Sequence, residues 1–330
     1  MEYTTLGATG TKVSRICLGC MSFGDPDWRD WVLDGAESRR IIERAIDLGI
    51  NFFDTANMYS RGESERILGD VLGEYDRDWP VIATKVYNSM DDGNPNARGL
   101  SRKAIEQELR HSLDRLGVDT VDLYQIHRWD DETPIEETLG TLADAVRRND
   151  VRYVGASSMW AHQFAGALHA SDRLGLDRFV TMQNHYNLAY REEEREMIPL
   201  CDRENVGVLP WSPLARGYLT RPHDAFLDSV RGGYMDSDDR LSNRIDTYRR
   251  NGGEGINERV EELAGEKGVT MAQIALAWLL HQDAVDAPVV GTTSVEHLED
   301  AVEALEIDLS ASDLDYLEAP YRPVEIEGHD

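Results

Sequence analysis

Residues 51–65 read NFFDTANMYSRGESE, and in this stretch an apolar run is followed by polar residues whose side chains can exchange protons. The run NFF is typical of a short buried strand, which ends in Asp54, and Tyr59 follows five residues later. An amphipathic helix is predicted directly afterwards, near 63–75. Strand, polar turn and helix together make one unit of an alternating α/β fold.

Two further predicted strands end in the same way. VIATK ends in Lys85, and VDLYQIH ends in His127. Packing does not explain a carboxylate, a phenol, an ammonium and an imidazole at the ends of successive apolar strands. In a barrel of parallel strands these ends converge on one face, where catalytic groups lie. The sequence therefore predicts that Lys85 and His127 meet Asp54 and Tyr59 there.

Strand and helix signals alternate along most of the chain. Strands are predicted near 16–20, 51–54, 81–86, 121–127, 151–157, 180–184, 206–211 and 287–291. Helices are predicted near 38–48, 63–75, 101–116, 135–149, 161–174, 193–204, 256–267, 270–281 and 294–304. This order favours an α/β fold, a (β/α)8 TIM barrel formed by residues 1–330 as a single domain.

Two additions to the barrel are predicted. A hairpin over 3–6 and 12–16 would plug its bottom, and a long loop would follow the seventh strand, at about 214–255. A doubly wound sheet is the competing fold, but it would normally carry G-x-G-x-x-G after an early strand. The chain contains neither that motif nor a Walker loop.

The net charge of −28 is the strongest signal in the composition. Such an acidic surface repels nucleic acid and anionic membranes, and salt would screen its self-repulsion, so a halophilic source is predicted. The longest clean apolar run is IALAWLL at 274–280, too short to span a bilayer. The N-terminus lacks the features of a secretory signal, which predicts a cytoplasmic protein.

The cysteines and histidines do not predict a metal site. Cys17 and Cys20 form a C-x-x-C, which can be a redox pair or half of a zinc site, but no second pair accompanies them. We interpret both as small buried residues. No cluster of His, Asp and Glu has the spacing of metal ligands.

The four strand-end residues suit proton delivery to a carbonyl oxygen. Tyrosine has a reference pKa of about 10, and a nearby ammonium such as Lys85 favours its phenolate. Asp54 would compensate the charge of Lys85, and His127 could orient the substrate oxygen by a hydrogen bond. Together they predict general acid catalysis with electrostatic stabilisation. None of these groups supplies a hydride, so a cofactor is required.

Several other strand ends could hold that cofactor. Gln183 and the pair Ser157–Ser158 could clamp a carboxamide, and the indole of Trp211 could stack on a flat ring. SPLARG, 212–217, offers a turn that brings backbone N–H groups to a pyrophosphate.

Two further segments could bind phosphate. Gly291, Thr292, Thr293 and Ser294 begin a predicted helix, whose N-terminus favours anions. Residues 216–250 contain seven arginines against six aspartates, which favours a lid over an anionic ligand. An ordinary salt-bridged surface is the alternative.

These stretches, taken together, resemble the aldo-keto reductase family. The matching segments are LGCMSFG, FFDTANMYSRGESERILG, VIATKV, VDLYQIHRWD, VRYVGASS, MQNHYN, PWSPLARGYLT and PVVGTTSVEHLEDAVEAL, in order across about 3–323. The long loop, PWSPLA and LEAPYRPV look most like the branch that contains potassium-channel β subunits and bacterial glyoxal and aryl-alcohol reductases.

The resemblance implies a (β/α)8 barrel that binds NADPH extended and transfers hydride to an aldehyde or ketone. It implies that Tyr59 is the acid, that Lys85 and Asp54 tune it, and that His127 orients the carbonyl. It also implies residues that bind the cofactor: Ser157, Ser158 and Gln183 at the carboxamide, Trp211 on the nicotinamide, Ser212, Pro213, Leu214 and Gly217 at the pyrophosphate, and Gly291, Thr293, His297 and Asp300 around the adenosine.

The chain departs from the family pattern at three places. The family often has Asn where this chain has Ser158 and Ala301, and many members carry Lys or Arg within 291–297 to bind a 2′-phosphate. Arg244, or Arg240, would have to supply that charge here. NADP(H) is therefore favoured and NAD(H) is possible.

The leading function is an NADP(H)-dependent reductase of small carbonyl substrates. The alternative is a cofactor-binding regulatory subunit with little turnover, and a sugar isomerase or metal-dependent barrel is a weaker third. Substrate identity, direction of the reaction and oligomeric state are left open. So is the role of Trp28, Trp31 and Trp129, which could line a substrate pocket or pack at its rim.

Overall fold

Eight short, buried segments pair side by side as parallel strands. The computed structural model describes residues 1–227 and 246–323. The parallel strands are β3 Cys17–Gly19, β4 Phe52–Asp54, β5 Val81–Val86, β6 Val121–Ile126, β7 Val151–Ser157, β8 Phe179–Gln183, β9 Gly207–Val208 and β10 Val289–Gly291. Each of β3 to β8 pairs with the next strand along the chain, and β10 pairs with β3, so β9 and β10 are the two edges of the sheet.

The ring closes between its two remaining edges. Beyond β9, Trp211 forms a parallel bridge with Val289, and the Val289 amide donates to the Pro210 carbonyl at 2.8 Å. This closure confirms the predicted (β/α)8 barrel. The predicted hairpin is also present, as the antiparallel strands β1 Tyr3–Thr5 and β2 Lys12–Ser14.

Helices surround the ring. They are α1 Gly35–Asp47, α2 Glu63–Leu72, α3 Arg102–Leu116, α4 Ile135–Arg147, α5 Ala161–Leu174, α6 Met197–Glu204, α7 His223–Leu227, α8 Gly253–Lys267, α9 Met271–Leu280, α10 Val295–Glu303 and α11 Ala311–Glu318. In the described part of the chain, none of them has the length and apolarity needed to cross a membrane. The predicted long loop contains α7, and its residues 228–245 lie outside the described part of the chain. Helix α11 was not predicted.

Alternation along each strand decides which side chains face the barrel interior. Phe52 belongs to the cluster inside the ring, whereas Phe53 packs with the outer helices. Leu6 and Val13 of the hairpin join the inner cluster, so the hairpin does plug the barrel. Because side chains alternate with a period of two, Asp54 lies on the same inner side as Phe52.

The same rule places the polar ends of the next two strands. Ala83 and Leu123 belong to the inner cluster, so Lys85, two residues after Ala83, faces inward on β5. Gln125 and His127 follow Leu123 at steps of two and face inward, Gln125 on β6 and His127 directly after its end. The two cysteines of the C-x-x-C motif are buried free thiols, as predicted.

A half-buried carboxylate joins the plug to the barrel. Asp286 Oδ2 accepts a hydrogen bond from the Gly7 amide at 2.7 Å. Gly7 has φ +50°, and a Cβ there would lie 2.2 Å from the Val180 carbonyl oxygen, so this turn requires glycine. Burial raises the pKa of Asp286 to about 6, against the opposing effects of the Gly7 amide and the Arg15 guanidinium.

We expect Asp286→Asn to stabilise the protein at neutral pH. The folded protein holds a proton on Asp286 up to about pH 6, whereas the unfolded chain releases it near 3.8. The contribution of Asp286 to the free energy of unfolding is therefore largest below pH 3.8. It falls as the pH rises through 6, by about 2 to 3 kcal/mol in all. Urea unfolding from pH 4 to 8 measures this effect. The gain from Asp286→Asn, whose amide oxygen still accepts from Gly7, should grow from near zero at pH 4 to its full size above pH 6. A pH-independent gain would contradict the role of the proton.

Candidate active site

The four predicted strand-end residues meet at the carboxyl ends of β4 to β6. Lys85 is fully buried, and its Nζ donates to Asp54 Oδ1, to the Thr55 carbonyl at 2.8 Å and to Tyr59 Oη at 3.3 Å. The ring of Tyr59 meets that of His127 edge to face, with centroids 5.9 Å apart. All four side chains are at least nine-tenths buried.

The carboxylate of Asp54 is held on both oxygens. Oδ1 faces Lys85, and Oδ2 accepts from Gln125 Nε2 at 3.0 Å and from Gln183 Nε2 at 2.8 Å. Gln125 was not predicted as a site residue. Its position between Leu123 and His127, on the face of the strand that those two residues share, was the signal that could have found it.

The surroundings of Tyr59 keep its phenol protonated. Burial raises the pKa of Tyr59, and the ammonium of Lys85 lowers it, with a net value above the ordinary one. The expectation that Lys85 favours the phenolate holds as a contribution, but burial outweighs it. Burial also lowers the pKa of Lys85, but Asp54 and Tyr59 raise it, so this pKa lies above its ordinary value and the amine stays charged.

His127 is neutral at physiological pH. Burial, followed by the charges of Lys85 and Arg128, lowers its pKa well below 6.5. The side-chain amide nitrogen of Asn88 lies 3.3 Å from Nδ1 of His127. An imidazole that accepts from Asn88 at Nδ1 carries its proton on Nε2, so this neutral ring can still donate a hydrogen bond.

A left-handed turn fixes Tyr59 in place. Ser60, Arg61 and Gly62 have φ values of 48°, 54° and 93°. Non-glycine residues in this region cost of order 1–3 kcal/mol each and persist where their surroundings impose the conformation. Here Ser60 Oγ accepts from the Asp25 amide at 2.7 Å. The loop between β3 and α1 thus anchors the turn.

The same loop carries two of the tryptophans whose role was left open. Trp28 and Trp31 pack edge to face with centroids 6.3 Å apart, and the guanidinium of Arg29 lies 4.9 Å from the Trp28 ring centroid. Both follow Asp25, which contacts the turn beside Tyr59. Trp129 instead lines a groove between α4 and α5, together with His162.

Four of the predicted cofactor residues come together at the ends of β7 to β9. The indole Nε1 of Trp211 donates to Ser158 Oγ at 3.0 Å, and Ser157 Oγ lies 3.1 Å from Ser158 Oγ. The Ser158 amide donates to the Gln183 carbonyl at 3.1 Å. His185, which was not predicted as a site residue, stacks on Trp211 with centroids 4.2 Å apart and planes 7° from parallel. The side-chain amide of Gln183 points to Asp54, which sequence reasoning did not predict.

The predicted pyrophosphate turn follows Trp211. It consists of Ser212, Pro213, Leu214 and Gly217, with Ala215 and Arg216 between them. Ser212 has φ +53°, and Asn187 Nδ2 donates to its carbonyl at 3.0 Å. The amides of Ala215 and Gly217 donate to carbonyls within the turn, so these two N–H groups already have partners.

The predicted adenosine residues surround the start of α10. Ser294 caps this helix by accepting from the His297 amide at 3.2 Å. Gly291, Thr293 and His297 are exposed, and Asp300 is half-buried. Arg244 and Arg240, predicted to supply positive charge, lie outside the described residues.

Comparison with known proteins identifies the family. The pattern described as "Aldo/keto reductase family" matches residues 15–322. The chain is 43% identical to the "Aldo-keto reductase AFTS1" of Alternaria alternata, over 99% of this chain and 93% of that protein. It is 42% identical to the "Versiconal hemiacetal acetate reductase" of Aspergillus parasiticus, and 40% identical to a Saccharomyces cerevisiae protein whose name refers to an aryl-alcohol dehydrogenase, each over 98% of both chains. With a matching barrel and a matching sequence over nearly its full length, this chain belongs to the aldo/keto reductase family.

Proposed function

We propose that this aldo/keto reductase is an NADP(H)-dependent enzyme that reduces small aldehydes or ketones, with Tyr59 as the general acid. Its family and its reductase-named relatives support carbonyl reduction with a nicotinamide cofactor. One observation carries the assignment of the acid: the protonated phenol of Tyr59 lies 3.3 Å from the ammonium of Lys85, which is itself paired with Asp54.

The residues around Trp211 fit a nicotinamide. Two adjacent hydroxyls, on Ser157 and Ser158, offer hydrogen bonds to a carboxamide, and the indole is fixed by Ser158 at its edge and by His185 on one face. These residues and Gln183 would hold the ring near Asp54. When bound, the reduced cofactor would supply the hydride.

The proton is moved by the chain's own residues. The neutral His127 donates a hydrogen bond to the carbonyl oxygen of the substrate, and this orients the oxygen towards Tyr59 Oη. As negative charge develops on that oxygen, Tyr59 gives up its proton. The ammonium of Lys85 then stabilises the phenolate, and Asp54 keeps Lys85 in place.

The preference for NADP(H) requires a positive charge to pair with the 2′-phosphate. The end of β10 and the start of α10 present Thr293, Ser294 and His297, but no Lys or Arg within 291–297. Arg244 is proposed as the partner of the 2′-phosphate from the sequence alone. An Arg–phosphate contact is a strong, charge-assisted hydrogen bond, so its effect on affinity should be measurable.

We expect NADPH to bind about tenfold more tightly than NADH, and small aldehydes then to oxidise it. Quenching of tryptophan fluorescence, with Trp211 next to the nicotinamide, measures both affinities, and absorbance at 340 nm follows turnover. Arg244→Ala should weaken NADPH binding and leave NADH binding unchanged.

Each outcome of this experiment has a distinct meaning. Equal affinities for the two cofactors would contradict the NADP(H) assignment. Tight binding without oxidation across a panel of aldehydes would contradict the reductase and favour the regulatory alternative.

A further inference from the structure

Gln125 is a buried polar residue whose side chain is only partly satisfied by hydrogen bonds. Its side chain is fully buried in the barrel interior, where Nε2 donates to Asp54 Oδ2 at 3.0 Å. Its Oε1 has no hydrogen-bond partner among the described residues. An unsatisfied buried carbonyl destabilises a fold, so stability alone does not explain a glutamine at this position.

The barrel makes room for this side chain. Gly155 of β7 is the register partner of Gln125 on β6, and a Cβ on Gly155 would lie 3.0 Å from Gln125 Cγ. On its other side Gly155 pairs with Thr181 of β8, and the same Cβ would lie 2.4 Å from Thr181 Oγ1. Gln125, Gly155 and Thr181 therefore form one layer of register partners across β6, β7 and β8, and Lys85 of β5 is the next partner in that layer.

We propose that Gln125 is a positioning residue, which orients the Asp54 carboxylate so that Lys85 is held against Tyr59. The proposal rests on the function assigned to Tyr59 above. Gln183 donates to the same oxygen, but it is also a proposed ligand of the carboxamide. Gln125 has no such second role, so it can hold Asp54 whichever group Gln183 contacts.

The chain offers a matched control for this proposal. Thr181 is fully buried in the same layer, and its hydroxyl has no hydrogen-bond partner among the described residues. Gln125→Met removes the amide and keeps the length of the side chain. Thr181→Val removes the hydroxyl and leaves Asp54 untouched.

We expect Gln125→Met to lower kcat about tenfold, the effect of losing one hydrogen bond to a charged group. The KM of the aldehyde, the Kd of NADPH and the melting temperature should stay close to those of the wild type. Thr181→Val should change none of these by more than about twofold. Gln125→Glu should keep kcat near wild type at pH 6, because a protonated carboxyl beside Asp54 can donate the same bond.

Three results would overturn the proposal. One is a Gln125→Met variant with unchanged kcat in an active enzyme. Another is a parallel loss of kcat, cofactor affinity and stability in both Gln125→Met and Thr181→Val, which indicates packing alone. The third is a Gln125→Glu variant that loses as much kcat at pH 6 as Gln125→Met.

A crystal structure of Gln125→Met tests the proposal without reference to turnover. We expect the Asp54 carboxylate to turn about its Cβ–Cγ bond and the distance from Lys85 Nζ to Tyr59 Oη to exceed 3.3 Å. An unchanged Asp54 would overturn the positioning role even in an active enzyme. A turned carboxylate in a protein that reduces no aldehyde would support positioning and contradict the proposed function instead.

Discussion

Tyr59→Phe is expected to lower kcat for aldehyde reduction about a thousandfold, within the range that general acid catalysis contributes. The variant keeps the aromatic ring, which lies edge to face with His127 and 5.0 Å from Lys85 Nζ. It loses only the hydroxyl that lies 3.3 Å from that ammonium. Because Tyr59 is not among the residues proposed to hold the cofactor, the Kd of NADPH should stay within about threefold of wild type.

A second buried tyrosine serves as the control. The Tyr124 hydroxyl is fully buried on β6 and has no hydrogen-bond partner among the described residues. Tyr124→Phe should therefore retain full turnover. Steady-state kinetics and fluorescence titration on both variants measure the two effects separately. If Tyr59→Phe lost cofactor affinity and kept its turnover, the assignment of Tyr59 as the acid would be wrong.

Lys85→Met should reduce both activity and stability. The Lys85–Asp54 pair is almost completely removed from solvent, with the two side chains 0% and 2% exposed. Removing one partner leaves a buried carboxylate without a counter-ion, which costs about 3–5 kcal/mol of the free energy of unfolding. Activity should fall at least about a hundredfold, because Lys85 no longer stabilises the phenolate of Tyr59.

A double variant separates the two effects of this change. Lys85→Met combined with Asp54→Asn removes both charges and should recover most of the stability but none of the activity. Urea denaturation and kcat measure the two quantities. Arg39→Met breaks the exposed pair with Glu74 and should cost little by comparison. If Lys85→Met cost no more stability than Arg39→Met, the two charges would not depend on each other for their burial.

Local sequence patterns were sufficient to predict the barrel and the four residues that meet at the carboxyl ends of β4 to β6. Three successive strands, β4 to β6, lead into a residue type that packing does not require, and alternation along each strand decides which side chains face inward. Asp54, Lys85 and His127 could be found in this way because each stands at the end of its own apolar run. Their contact follows from the parallel arrangement of the strands.

The contacts that were not predicted join residues distant in the chain. Gln125 and Gln183 donate to Asp54 from 71 and 129 residues away. His185 owes its role to Trp211, which lies beyond the next helix. A polar residue in an apolar strand can be noticed from the sequence, but the group that it contacts depends on how the ring closes.

Helix α11 was missed for a local reason. Its start carries a readable capping box, in which Ser310 and Asp313 exchange side-chain and backbone hydrogen bonds. Within the helix, however, only Leu317 is buried, so the apolar periodicity that identified the other helices is weak.

The three side chains that hold Asp54 come from β5, β6 and β8. Together with β4, which carries Asp54, half of the strands in the ring fix the position of the carboxylate. During synthesis on the ribosome, Asp54 would emerge well before the last of these partners, because Gln183 lies 129 residues further along the chain. A nascent chain that stops before Gln183 contains Asp54, Tyr59, Lys85 and His127. It lacks one of the three side chains that hydrogen-bond to the Asp54 carboxylate. The full set of contacts to Asp54 is thus completed late, after more than half of the polypeptide has been made.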